Sequence, residues 1–149
     1  MMSIEITGDE QSAHEVLAML KHWDEAVANM DIQALADLCV EEVSLIDVST
    51  HLTGIQAYKQ LWKRYLPVKV GNIRVYREGI KLIAQHELAV LHCFSKVDQI
   101  DAIPNLEVFW CRTTICFQKV EGAWKVAHQH ISMPIQLETG LPILLSEVS

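Results

Sequence analysis

The chain has 149 residues, half of them apolar and about a fifth charged, which is one domain's worth of sequence and excludes disordered, collagen-like and low-complexity architectures. Twelve Lys and Arg against nineteen Asp and Glu leave a net charge of −7, which repels phosphate backbones and argues against nucleic-acid binding. No stretch approaches the roughly 18 uninterrupted apolar residues of a membrane-spanning helix, and no basic segment followed by an apolar run opens the chain.

The four cysteines, Cys39, Cys93, Cys111 and Cys116, form no C-x-x-C pair and no zinc spacing. They read as small buried hydrophobes in a reduced cytoplasm. No metal and no cofactor is expected.

In chain order, Thr7-x-x-Glu10 is a capping-box pattern ahead of a helical period. Ala13, Val16, Leu17, Leu20, Trp23, Ala26, Val27 and Met30 then recur at steps of three and four, predicting a helix from about Glu10 to Met30. Asp31 caps a short second helix carrying Leu35 and Leu38. Val43 to Val48 is rich in β-branched residues and predicts a strand. Thr53-x-x-Gln56 opens a third helix with Ile55, Tyr58, Leu61, Trp62 and Tyr65 at helical spacing, stopped by Pro67.

After Pro67 the pattern becomes that of strands: Lys69 to Tyr76, Ile80 to Gln85, Leu88 to Val97, Glu107 to Val120 and Trp124 to Ser132. The separators are Arg77-Glu78-Gly79, His86-Glu87, a loop from Asp98 to Asn105, and Glu121-Gly122. Helices first and strands after predict an α+β domain with an antiparallel sheet covered by helices. The whole chain reads as a single domain, with a core at 10–134 and an apolar C-terminal tail at 135–149.

In the last strand one face holds Trp124, Val126, His128, His130 and Ser132, and the other Lys125, Ala127, Gln129 and Ile131. The first set starts apolar and is expected to face the helices. Strands 88–97 and 108–119 are apolar on both faces, so each face needs a cover. Helices supply one cover, and a second copy of the chain is the economical other, predicting a homodimer.

Asp47 ends the first of these strands among Leu45, Ile46 and Val48. Facing inward it is a candidate general base; otherwise it caps the turn toward Thr53. His128-x-His130 puts two imidazoles on one strand face, serving a metal, a proton relay or an anion clamp, with His92 and Asp47 as the available further donors. The plain alternative is that both histidines bond to backbone or hydroxyl groups near Ser132. Arg112, in a largely apolar strand, needs an anion: Asp47 or another internal carboxylate, a ligand, or a carboxylate across a subunit interface. Tyr58, Trp62, Trp110 and Trp23 supply aromatic surface that suits either a core or an apolar pocket with a few polar groups. No phosphate loop, nucleophile elbow or Ser-His-Asp order is present.

The segment from Arg112-Thr113-Thr114 through Glu121-Gly122-Ala123-Trp124 to His128-Gln129-His130-Ile131-Ser132-Met133-Pro134 resembles the SnoaL-like branch of the nuclear transport factor 2-like superfamily. It is also similar to the association domain of calcium/calmodulin-dependent kinase II, where a G-x-W, an H-x-H-x-S and a final Pro recur. Trp23, Ala26, Asp31, Leu35 and Gly54 fit the same pattern. The resemblance spans residues 10 to 134 and implies a cystatin-like cone, a curved sheet wrapped around three helices, with a pocket between them.

That resemblance places Asp47, Tyr58, Trp62, Arg112 and His130 around the pocket, with Trp110 and His92 as further ligand-binding candidates. Members include isomerases, cyclases, dehydratases, hydrolases and non-catalytic assembly domains, so fold alone does not select an activity. An acid/base enzyme of this kind would use Asp47 to remove a proton from a carbonyl-containing ligand, with Arg112 and His130 steadying the enolate or a carboxylate. The expected ligand is small, and apolar or a carboxylate. A ketosteroid isomerase would need a second inward carboxylate on the later strands, which the sequence does not show. A non-catalytic association domain is the alternative.

Overall fold

In the computed structural model, residues 3–65, 72–99 and 108–148 are described. The order of elements is β1 (Ile4–Gly8), α1 (Glu10–Ala28), α2 (Ile32–Asp37), β2 (Cys39–Ile46), β3 (His51–Thr53), α3 (Ile55–Tyr65), β4 (Ile73–Ala84), β5 (Leu88–Gln99), β6 (Cys111–Val120) and β7 (Ala123–Ser132). The strands form one curved, unclosed sheet of seven in the order β1-β4-β5-β6-β7-β2-β3, and the three helices cover its inner face. Pro67, the expected strand start at Lys69, and the segment 100–107 lie outside the described residues.

Helix α1 forms where its apolar residues repeat: Ala13, Val16, Leu20, Trp23 and Val27, at steps of three and four, are all buried. Its cap is Asp9, whose Oδ2 accepts from Ser12 N at 2.9 Å, rather than the expected Thr7, which lies in β1. Asp31 caps α2 as its sequence suggests, accepting from Ala34 N at 3.0 Å. No helix among the described residues is long and apolar enough to cross a membrane.

The central strands β4-β5-β6-β7 are antiparallel, but the sheet is mixed. β1, which the sequence reading lacked, pairs parallel with β4, and β2 pairs parallel with β7. Gly8 makes the passage from β1 to α1 possible: at φ +98, a Cβ there would sit 2.0 Å from Ala84 O.

Two irregularities decide which side chains face inward. The expected turn at Arg77-Glu78-Gly79 is instead a bulge inside the continuous strand β4, where pairing passes from Glu78↔Phe94 to Lys81↔His92. Before it Ile73, Val75 and Arg77 face the helices; after it Ile80, Leu82 and Ala84 do. In β7 the register passes from Phe117↔Val126 to Cys116↔His128, so Ala127 is the extra residue. Trp124 and Val126 point inward before the bulge, and Gln129 and Ile131 after it. The expected single inner face of Trp124, Val126, His128, His130 and Ser132 is therefore split, because one inserted residue moves all later side chains to the opposite side.

Beyond β7 the tail folds back on itself. Ile143 N donates to Pro134 O at 2.8 Å, Gln136 N to Leu141 O at 2.9 Å, and Trp110 N to Leu145 O at 2.9 Å.

Candidate functional site

Between the inner face of the sheet and helices α1 and α3 lies a cavity of about 240 Å³. Its apolar wall includes Val27, Leu45, Leu61 and Val75. An aromatic cluster closes one side: Trp62 meets Trp23, Tyr58 and Tyr65 with ring centroids 6.5, 6.3 and 5.6 Å apart, all near edge-to-face. The helical spacing of Tyr58, Trp62 and Tyr65 puts all three on one face of α3, so the pattern that makes the helix also makes the wall.

The polar groups come from the residue after β2, from α3 and from strands β4 to β7. Asp47 follows β2; its backbone N–H donates to Thr50 O at 2.7 Å, and its Oδ1 accepts from Val48 N at 2.7 Å. The side chain thus takes part in the turn toward Thr53 and also lines the cavity. Among the described residues no Lys, Arg or His forms an ion pair with it.

Tyr58 is 1% exposed and its hydroxyl donates to Gln129 Oε1. Burial pushes the Tyr58 hydroxyl well above its ordinary pKa, with the negative charge of Asp47 adding in the same direction. Tyr65 and Cys111 are raised as well, chiefly by burial, and both feel Asp47. Trp62 Nε1 is buried without a hydrogen bond of good geometry, although the Tyr58 hydroxyl is close enough to feel it.

Arg77, on β4, is the buried cation of the site. Its Nε donates to Asp24 Oδ2 at 3.0 Å and its Nη2 to Asp24 Oδ1 at 2.8 Å, while Nη1 lies 3.6 Å from Cys93 Sγ. Burial disfavours the charged guanidinium, but the Asp24 carboxylate more than offsets this and raises the pKa above the usual arginine value. Ser95 and Thr113 share a hydrogen bond of 2.6 Å elsewhere in the wall.

The candidates from sequence divide between two places. Asp47, Tyr58 and Trp62 line the cavity together. Arg112, His92 and His130 do not; with Lys81 they line a groove on the opposite, outer face of the sheet. There Arg112 Nε donates to Ser132 Oγ at 3.1 Å, so of its alternatives the internal ion pair, with Asp47 or another carboxylate, is not formed among the described residues. His130 is carried outward by the β7 bulge, whereas His128 hydrogen-bonds through Nδ1 with Ser44 Oγ at 2.7 Å. Trp110 is 9% exposed but lies outside the cavity wall, with Lys96 Nζ 5.0 Å from its ring centroid. Among the described residues no three His, Cys, Asp or Glu side chains are grouped so as to hold a metal ion.

Sequence reasoning missed Asp24, Arg77 and Gln129. Arg77 continues the alternation Ile73, Val75, Arg77, a usable signal that the turn-like Glu78-Gly79 obscured. Gln129 needs the β7 bulge to point inward, and nothing in the local alternation marks it.

Comparison with known proteins bears on the fold. Residues 16–136 match the family model described as SnoaL-like domain. A structure from Pseudomonas putida, described as an NTF2-like protein of unknown function, superposes with a TM-score of 0.82 at 20% identity, covering 91% of this chain and 96% of that one. A candidate dehydratase of the NTF2-like family from Streptomyces avermitilis gives 0.72 at 15% identity, covering 85% and 98%. A candidate scytalone dehydratase from Novosphingobium aromaticivorans gives 0.69 at 14% identity, covering 91% and 95%. At these identities the likeness shows the fold alone. The comparison with curated proteins finds no match.

Proposed function

Because the chain belongs to the SnoaL-like domain family, we propose that it is a small-molecule pocket protein in which Asp47 takes a proton from a carbonyl-containing ligand held in the cavity. One observation carries this reading: Asp47, a carboxylate with no cationic partner among the described residues, lines the same largely apolar space as the N–H groups of Arg77 and Gln129. The apolar and aromatic walls supply affinity through burial of the ligand body. The carboxylate of Asp47 accepts a proton from the carbon next to the carbonyl. The C–H electron pair then moves onto the carbonyl oxygen, where N–H donors of the wall meet the developing charge. With a hydroxyl β to the carbonyl, the enolate expels it, the proton held on Asp47 converts it to water, and the reaction is a dehydration; with a β,γ double bond instead, the dienolate takes that proton back at the γ carbon and the reaction is an isomerisation. The neighbours described as candidate dehydratases are compatible with the first outcome.

The full-length chain incubated with a panel of small aryl ketones in D2O tests this reading, with loss of the α-proton followed by NMR. Wild-type protein accelerates exchange for at least one ketone, and Asp47→Asn lowers that rate by about a hundredfold or more. An Asp47→Asn variant that exchanges as fast as wild type overturns the assignment.

The outer sheet face supports the expected homodimer. Ile83, Leu88 and Val90 are 52%, 63% and 40% exposed on it, forming apolar surface that a second copy would cover. The same face also favours the second reading, a non-catalytic association domain. The two differ in size, a dimer against a larger ring, and that measurement is argued below.

A further inference from the structure

The charges in the cavity wall are not balanced. Arg77, whose side chain is 6% exposed, is held by both oxygens of Asp24. Lys96, the other cation of the wall, lies 3.9 Å from Asp98 Oδ2. Each cation thus has its own carboxylate, while Asp47 has no cation within 4.0 Å among the described residues. Among the described residues Asp47 is therefore the charged group of the wall without a counter-ion, Arg77 and Lys96 being held by carboxylates that stand behind the lining. Its field reaches across the cavity, since Tyr58, Tyr65 and Cys111 are all made harder to ionise by it.

The hydrogen-bonding groups are unbalanced in the other direction. Trp62 Nε1 is buried and makes no hydrogen bond of good geometry, although the Tyr58 hydroxyl is close enough to feel it. A guanidinium has five N–H groups, and Arg77 engages three: two with Asp24 and one with Cys93. Gln129 uses its Oε1 to accept from Tyr58, which leaves its amide nitrogen as a donor. The space is rich in donors and already holds an unpaired carboxylate. A ketone, aldehyde, ester or amide oxygen satisfies the donors without adding charge. A carboxylate satisfies them too, but sets a second anion beside the half-buried Asp47 carboxylate.

We infer that the cavity selects uncharged carbonyl ligands over carboxylates, with Asp24 and Asp47 as the specificity-determining residues. Asp24 acts by neutralising Arg77, which would otherwise anchor an anion, and Asp47 acts by direct repulsion. This inference rests on the pocket reading above and narrows its ligand class, removing the carboxylate from the sequence expectation.

Benzamide and benzoate are near-isosteres that differ in charge, and titrating the full chain with each at neutral pH, read by tryptophan fluorescence and calorimetry, tests the selection. Wild type binds benzamide at least about tenfold more tightly than benzoate. Asp47→Asn tightens benzoate about tenfold, so that the preference for benzamide over benzoate is largely lost. Asp24→Asn frees the Arg77 charge, so benzoate raises the Tm of that variant but not of wild type. If Asp24→Asn does not fold, the Asp47→Asn comparison decides alone. Benzoate binding wild type as tightly as benzamide, or a ratio unmoved by Asp47→Asn, overturns the selectivity while leaving the pocket in place. Failure of both probes to bind wild type and variants alike overturns the pocket reading itself.

Discussion

Arg77 and Asp24 form a two-pronged ion pair, Nε to Oδ2 at 3.0 Å and Nη2 to Oδ1 at 2.8 Å, that ties the middle of β4 to α1 directly beside Trp23. The pair joins the helix layer to the sheet at the cavity wall. The side chains are 6% and 26% exposed, so removing one partner strands the other's charge in a poorly hydrated place. We expect Asp24→Ala and Arg77→Ala each to lower unfolding stability by about 3–5 kcal/mol in urea titrations. The double replacement Asp24→Leu with Arg77→Met should recover much of that loss, since no unpaired charge is left. A single-variant loss below about 1 kcal/mol would show the pair to be solvated and of little consequence.

Tyr58 and Gln129 make the second polar link across the core, from α3 to β7. Tyr58 is 1% and Gln129 6% exposed, so Tyr58→Phe leaves the amide oxygen buried with its donor removed. The expected cost is about 1–3 kcal/mol, the penalty of an unsatisfied buried acceptor rather than the worth of one hydrogen bond. Pairing Tyr58→Phe with Gln129→Leu should cost less than the sum of the single changes. Strict additivity in a double-mutant cycle would mean that the two groups are not coupled.

These two links also show where a sequence can and cannot be read. The repeat Ala13, Val16, Leu20, Trp23, Val27 is local, and it was enough for α1. Asp31 as a cap and Glu121-Gly122 as a turn with φ 51 and 82 are equally local. β1 was not legible, because its parallel partner β4 lies some seventy residues on and five exposed residues carry no pattern of their own. The bulges were not legible either. A period-two pattern fixes which residues share a face only while the register holds, and Gly79 and Ala127 each shift it by one. That shift turned His130 outward, brought Gln129 inward, and made Arg77 look like part of a turn. Asp47, Tyr58 and Trp62 escaped the problem because they lie at a strand end and on a helix.

Cys39 makes stability depend on pH on the alkaline side. It is 6% exposed, its Sγ donates to Leu35 O at 3.3 Å, and burial pushes its pKa up to about 12 despite the opposing effect of Lys125. An unfolded thiol ionises near its ordinary value of 9.0, so above that pH the unfolded chain binds fewer protons than the native one. Stability is therefore fully present below pH 9.0 and falls progressively as pH rises toward about 12. The limiting slope for one such group is about 1.4 kcal/mol per pH unit. Cys39→Val removes this contribution, so urea midpoints measured from pH 8 upward should fall less steeply than in wild type. The slope will not vanish, because Cys93, Cys111 and Cys116 are also raised by burial and Tyr58 adds to the loss at higher pH. Parallel profiles for wild type and Cys39→Val would show that this thiol ionises freely in the native state.

The outer face decides between the two assembly readings. Ile83, Val90, Cys116 and His128 follow one another across β4, β5, β6 and β7 in register, and Leu88 adds apolar area at the strand end. The next row, Lys81, His92, Thr114 and His130, is polar. A twofold contact buries the same patch on both copies, so apolar rows meet each other while the basic rows must stay apart or hydrated. Light scattering on the eluting protein should give twice 16.9 kDa. Val90→Lys, at a position 40% exposed in the single chain, should halve that mass while leaving the circular dichroism spectrum and benzamide binding unchanged. A mass several-fold above the dimer favours the association-domain reading. A wild-type protein already at 16.9 kDa rules out both, and then the exposed row Ile83–Val90 has no second copy to cover it.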